Sequence, residues 1–246
     1  MPASGQIPTQ LPPPAGLPHH RSIIAVDIER STSRTNPVKA EQRRVVYEMF
    51  DTALRSAGIQ ERHRDRFIDR GDGILALIHP VDQAPKALLL TRAIPALHRL
   101  SVGHNDSLPR ASQPQRQMRL RVVIHAGEVH YDTNGCFGEA LDLAFRLLDA
   151  AQVKKALRAA NDPLVLVVSE DIHRSVIRHA YDGIDEHTFR PLVRVQIAGR
   201  RHTGWIHIPG AATRPNATEM VCYPQSASNM VGLYRDEPGR PTGSPA

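Results

Sequence analysis

Three short stretches carry residues whose types and spacing could do chemistry. In Phe67-Ile68-Asp69-Arg70-Gly71-Asp72-Gly73-Ile74-Leu75-Ala76-Leu77-Ile78, two apolar runs flank Gly71-Asp72-Gly73. Gly and Asp tolerate the positive φ of tight turns, so the stretch predicts a hairpin with Asp72 at its tip. Glycine on both sides lets backbone or ligand approach that carboxylate. Ser22-Ile23-Ile24-Ala25-Val26-Asp27-Ile28 is an apolar run closing on Asp27, and Glu29-Arg30-Ser31-Thr32 follows. An acid at the end of a buried strand, followed by small hydroxyl residues, is a common site layout in α/β proteins. If Asp27 and Asp72 converge to about 4 Å, they repel by roughly 4 kcal/mol at an effective dielectric of about 20. A divalent cation removes that repulsion, and an all-oxygen ligand set suits Mg²⁺ or Mn²⁺. In the third stretch, Leu120 to Val129 reads as a strand and Gly138 to Asp149 as a helix. Asp142 and Arg146 are four apart there and share a helical face. An isolated Gly-Asp-Gly is more often a plain turn; the combination points to a site.

The elements that must position these residues follow from periodicity and turn chemistry. The first strand is expected over about 21–28, and Asn36-Pro37 reads as a turn. Val45, Val46, Met49, Phe50, Ala53 and Leu54 recur at helical spacing, and Gly58 suits the helix end. His63, in a charged lead-in to the hairpin, is expected at the surface. A helix is predicted over about 83–100, interrupted near Pro95, and 101–118 reads as a mobile loop. Tyr131 to Gly135 reads as a turn, and the helix from 138 continues, bent, to Ala160. Leu164 to Val168 is a buried strand, with Ser169 capping a helix whose first turn holds Glu170 and Asp171. Segments 188–197 and 203–208 read as a final strand pair around Gly199. The order β, α, hairpin, α, β, α, β, α, β, β predicts an α+β sandwich with helices packed over one sheet.

The 246 residues suit one domain, 21–210, between ragged ends. Residues 1–20 hold six prolines and are expected to be disordered, as is the Thr-, Asn-, Ser-, Pro- and Gly-rich tail 211–246. Aromatics are only 4%, so the core must be aliphatic. No run of 18 apolar residues exists and the N-terminus has no basic-then-apolar signal pattern, so no membrane partner is expected. Cys136 and Cys222 give neither a disulfide framework nor metal-ligand spacing, which fits a reduced cytoplasm. The net charge of +6 attracts polyanions. Nucleic acid and a nucleoside triphosphate are both candidates; the arginines are scattered and few aromatics can stack on bases, so nucleic acid is not expected, and the plainer reading of the charge is a solvated basic surface.

Taken together, the pieces resemble the catalytic domain of class III nucleotidyl cyclases. The matching segments are Val26-Asp27-Ile28 with Ser31-Thr32, Arg70-Gly71-Asp72-Gly73, Val123-Ile124-His125-Ala126-Gly127-Glu128 and Leu141-Asp142-Leu143-Ala144-Phe145-Arg146-Leu147, in family order over about 21–210. The resemblance implies a ferredoxin-like core with a mostly antiparallel sheet. It also implies a homodimer with composite sites and cyclisation of a ribonucleoside triphosphate with loss of pyrophosphate. Two ions, Mg²⁺ or Mn²⁺, would be held by Asp27, Asp72 and the Ile28 carbonyl. Phosphates would be cradled by Glu29, Arg30, Ser31 and Thr32, with Gly71 and Arg200 also at the substrate. Arg146 would stabilise charge on the transferred phosphorus, beside Asp142.

The chain departs from the family in three places. Asp142 stands where the family has asparagine. Gln196 stands where it has lysine, for which Arg200 or Arg201 is the substitute. Ile68 and Gly135 occupy the two base-reading positions, so neither purine code is present. Bacterial cyclases that make cyclic UMP or cyclic CMP in phage defence share that last departure, which raises UTP or CTP as substrate. The competing expectation is a degenerate cyclase-fold domain that binds nucleotide or a protein without turnover. A diguanylate cyclase is disfavoured, because the turn lacks that family's Gly-Gly-Asp/Glu-Glu-Phe tip.

Overall fold

The computed structural model describes residues 16–210. In chain order they form β1 (His19–Ile28), α1 (Asn36–Ser56), β2 (Ile68–Asp69) and β3 (Gly73–Ile78). Then come α2 (Lys86–Leu88), α3 (Ile94–Ser107), α4 (Gln113–Arg116), β4 (Leu120–Asp132) and β5 (Gly135–Phe137). The remainder is α5 (Glu139–Leu148), α6 (Ala151–Ala159), β6 (Leu164–Ser169), α7 (Glu170–Ser175), β7 (Arg190–Ile197) and β8 (Arg200–His207). One sheet runs β2-β3-β1-β4-β6-β8-β7, with β5 paired to β4. The β4–β6 pair is parallel and the other pairings are antiparallel.

Strand alternation divides the core in two. Ile24, Val26 and Ile28 of β1, with Ile74, Ala76 and Ile78 of β3 and Val122 and Ile124 of β4, pack under α1 and α3. Ile23, Ala25, Leu75, Leu77 and Val123 face the other way, under α5 and α6. Covered on both faces, β3 and β6 are buried along their whole length, which is why they read as unbroken aliphatic runs. The same parity puts Asp27 and Glu29 on the α5/α6 face, beside Arg119 and Arg121.

The α+β sandwich, the Gly-Asp-Gly hairpin and the Ser169 cap are as expected; Ser169 Oγ accepts from the Ile172 amide at 3.4 Å. Several expectations are corrected. Asn36-Pro37 opens α1 instead of turning the chain, because proline is tolerated in a helix's first turn, where no amide donor is needed. The loop expected over 101–118 is helical to Ser107 and again over Gln113–Arg116. Ser101, buried within it, donates to the Leu97 carbonyl (2.8 Å). The helix expected from residue 83 begins at Lys86, and a π turn, Leu89–Ala93, stands just before Pro95. His63 is buried instead of exposed, with the Gln60 amide donating to its Nδ1 (3.3 Å). β1 begins at His19, inside the segment expected to be disordered, paired with Val129. The rest of that segment up to residue 15, and the tail 211–246, lie outside the described residues.

One close approach holds the hairpin against β1. A Cβ on Gly73 would lie 2.5 Å from the Val26 carbonyl oxygen, a distance real Cβ atoms do not adopt. Gly73→Ala should therefore cost about 1–3 kcal/mol, the usual range for overpacking, read as a lower midpoint in urea unfolding. An unchanged midpoint would mean the two strands are not held this closely.

Candidate active site

Asp27 and Asp72 meet because β1 and β3 pair antiparallel, with Asp27 opposite Gly73. The Ile28 amide donates to the Asp72 carbonyl (3.1 Å), so the backbone fixes the hairpin tip against the end of β1. Gly71 makes the turn in the left-handed region at φ 79°. The Ser31 hydroxyl, buried in the turn after β1, donates to Asp72 Oδ2. Both acids are partly accessible, so the pair lies at the rim of the sheet and not inside it.

Arg121 is the residue that sequence reasoning missed. It lies opposite Asp27 on β4, only 9% exposed, and forms an ion pair with Asp27 Oδ2. The same guanidinium reaches Asp149 Oδ1 at 3.3 Å. Its signal was a charged residue inside the apolar run from Leu120 to Ile124, and a buried charge needs a partner. One strand repeat further on, Glu29 pairs with Arg119 (2.9 Å) and lies 4.0 Å from Arg158. The acids therefore stand at one end of a row of alternating charges.

Burial pushes the Asp27 carboxyl up to about 6; the Arg121 guanidinium pulls down, and the Asp72 charge adds to the upward shift. Arg121 divides its donors between Asp27 and Asp149, so it compensates only in part, and burial wins. For a cation this set fits. One carboxylate near a strand end and one in the adjoining turn are the protein share that Mg²⁺-like ions use when substrate phosphates and water complete the shell. The ionised Asp27 still lacks enough positive charge around it. Among the described residues no group of three or more His, Cys, Asp or Glu forms a closed cage.

The other expected residues divide. Glu29 cannot cradle phosphate through its amide, which donates to the Arg119 carbonyl (2.8 Å). The Gly71 amide is likewise taken by Asp69 Oδ1 (2.7 Å). The amides of Arg30, Ser31 and Thr32 donate to no backbone carbonyl among the described residues, and they remain the free donors of the turn. Asp142 and Arg146 lie exposed on the outer face of α5, and neither forms an ion pair with the other or with Asp27 or Asp72. Arg200 is not at the acids of its own chain. β8 lies three strand spacings from β1, about 14 Å. Its Arg200 end also points away from the Leu120–Leu164 end of the sheet that holds Asp27.

No protein-family model matches the chain, and no curated protein matches it. Solved structures do. An adenylate/guanylate cyclase/hydrolase from Silicibacter pomeroyi superposes with a TM-score of 0.56 at 19% identity, over 80% of this chain and 100% of that one. The guanylyl cyclase Cya2 gives 0.53 at 16%, over 82% and 98%. The adenylyl cyclase CyaB from P. aeruginosa gives 0.51 at 16%, over 77% and 93%. The chain thus has the fold of adenylate/guanylate cyclase catalytic domains, and among the described residues no helix is long and apolar enough to cross a membrane.

The raised Asp27 carboxyl has a measurable consequence. Between its ordinary value of 3.8 and about 6, the folded chain keeps a proton that the unfolded chain has released. The Asp27 contribution to stability therefore falls as pH rises through that window and is flat above it. In EDTA, the difference in unfolding free energy between Asp27→Asn and wild type should move in the variant's favour by up to about 3 kcal/mol from pH 4 to pH 7. A constant difference across that range would show that Asp27 titrates as it does in water.

Proposed function

We propose that the chain is a metal-dependent nucleotidyl cyclase, converting a ribonucleoside triphosphate to its 3′,5′-cyclic nucleotide and pyrophosphate. The observation that carries this reading is the Asp27–Asp72 pair, with Asp27 near the end of β1 and Asp72 in the turn that enters the neighbouring β3 of a cyclase fold. Asp27, Asp72 and the Ile28 carbonyl would hold two Mg²⁺ or Mn²⁺ ions. When bound, the ions supply the charge that acidifies the ribose 3′-hydroxyl and neutralises the departing pyrophosphate. The free amides of Arg30, Ser31 and Thr32 would bind phosphate oxygens. Arg121 is placed to pair with phosphate once Asp27 turns to the cation. Phosphate would thus complete both the Asp27 and the Arg121 charge balance.

What raises pyrimidine substrates is the missing purine code at the two base-reading positions. Ile68 offers an apolar side chain packed against the α5/α6 core, and Gly135 offers none. Neither can read a purine edge by hydrogen bonds. UTP or CTP in anti-phage signalling in the cytoplasm is the setting that goes with that choice. Incubation with each of the four ribonucleoside triphosphates and Mn²⁺, followed by mass detection, should give a cyclic product, lost in Asp72→Asn. Turnover unchanged in that variant would remove Asp72 from the site. A second reading, a nucleotide-binding domain without turnover, is favoured by the Asp27–Arg121 ion pair and by the carboxylate at Asp142. Absence of any cyclic product would favour it.

The exposed position of Arg146 supports a homodimer with shared sites. Arg146, Asp142 and Arg200 would act from a second copy, across a two-fold axis, on the acids of the first. Asp72→Ala and Arg146→Ala should each be inactive. Mixed after subunit exchange, roughly half the dimers pair one of each, and half of their sites are intact. About a quarter of wild-type activity should return if the sites are independent. Each variant is first shown to be folded and dimeric, and exchange is confirmed with tagged chains. A silent mixture under those controls would argue against the shared site.

A further inference from the structure

Beyond Glu29 the surface opens into a cleft of about 340 Å³, walled by the turn after β1, the start of α1, residues of α4 and the segment after it, and Arg158 of α6. Arg30, Arg34, Arg119 and Arg158 line it, and Glu29 is the only carboxylate among the lining residues. Glu29 is already engaged by Arg119 at 2.9 Å, with Arg158 at 4.0 Å. Arg34 is half-buried, yet among the described residues its guanidinium meets only neutral groups, Gln42 Oε1 and the Gln117 carbonyl (3.3 Å). Among the described residues neither Arg34 nor Arg30 has a carboxylate partner. Burial pulls the Arg34 guanidinium down from its ordinary value, with Glu29 opposing and Arg30 adding to the fall. Arg30 enters the cleft from a left-handed backbone, φ 59°. Thr35, at the N-terminal end of the 21-residue α1, adds a hydroxyl that caps no amide of its own helix.

Four arginines gathered in a concave site against one carboxylate are unfavourable until an anion enters. The guanidinium fork matches the spacing of phosphate oxygens, and α1 contributes its positive end. We propose that this cleft is a second anion site, distinct from the acid pair, which binds a compact diphosphate. The Glu29–Arg119 pair lies two residues along the strands from Asp27–Arg121, about 7 Å away, and separates the two. A carboxylate facing the cleft at Glu29 disfavours a single continuous path of phosphate from one to the other. The inference does not depend on turnover, because binding is measured without nucleotide or metal.

The test is calorimetric titration of inorganic pyrophosphate into the full chain in EDTA at physiological salt. Wild type and Asp72→Asn should bind alike. Arg34→Gln should weaken binding about tenfold, the size of one lost charge-assisted hydrogen bond. Arg158→Gln should weaken it severalfold, and since Arg158 is 68% exposed its loss leaves the fold intact. Binding that needs Mn²⁺ or fails in Asp72→Asn would mean one site at the acids, and would overturn the proposal. So would the absence of binding, or binding indifferent to both arginine substitutions.

Discussion

The candidate site depends on one backbone pairing. The Ile28 amide bonded to the Asp72 carbonyl, with Gly73 against Val26, brings two carboxylates from 45 residues apart to adjacent positions at the rim of the sheet. The rest of the hairpin serves that contact. Gly71 supplies the left-handed turn, the buried β3 supplies the anchor, and Ser31 reaches across to Asp72. The backbone contact keeps the two residues close, so short of disturbing the β1–β3 pairing only side-chain rotation can relieve their repulsion.

That constraint makes charge compensation the governing problem. Arg121 answers part of it, from the strand on the other side of β1. It is divided between Asp27 and Asp149, and Lys154 also reaches Asp149 at 3.2 Å. The balance leaves Asp27 protonated well above the usual carboxylate range. A rim with acids left short of cations, beside an arginine with a shared partner, is poised for a ligand that carries both signs. A cation with its phosphates is such a ligand. Around Glu29 the imbalance is reversed, because arginines there outnumber the available carboxylates. The acid rim is thus short of positive charge, while the neighbouring cleft is short of negative charge.

Much of this was legible in the sequence, and the failures have physical causes. Asp27, Asp72 and the hairpin could be read because turn chemistry and apolar runs are local signals. The continuation of α3 to Ser107 could not, because Gly103, Asn105 and Asp106 have poor helix propensity and tertiary packing overrides it. Asn105 shows how: its side chain accepts from the Met118 amide (2.6 Å) and donates to the Met118 carbonyl (2.8 Å), which ties the helix to the chain entering β4. Burial of His63 was invisible for a similar reason, since its neighbours in sequence are charged but the fold places the ring beneath them. The role of Arg121 was hidden because pairing across β1 and β4 is a register fact. Shifting either strand by one residue would turn Arg121 to the opposite face from Asp27.

The hairpin tip has one further restraint, and it ties the acids to α5. Arg70, just before the turn, stacks its guanidinium over Phe145 of α5, 4.1 Å from the ring centroid. Phe145 adjoins Arg146 in sequence, so the loop that carries Asp72 and the helix that presents Arg146 are held by a single cation–π contact. Such a contact contributes about 0.5–2 kcal/mol, depending on how dry it is. That is enough to bias the tip's position and too little to lock it, while the Ile28–Asp72 bond and the Gly73 packing set its place on the sheet.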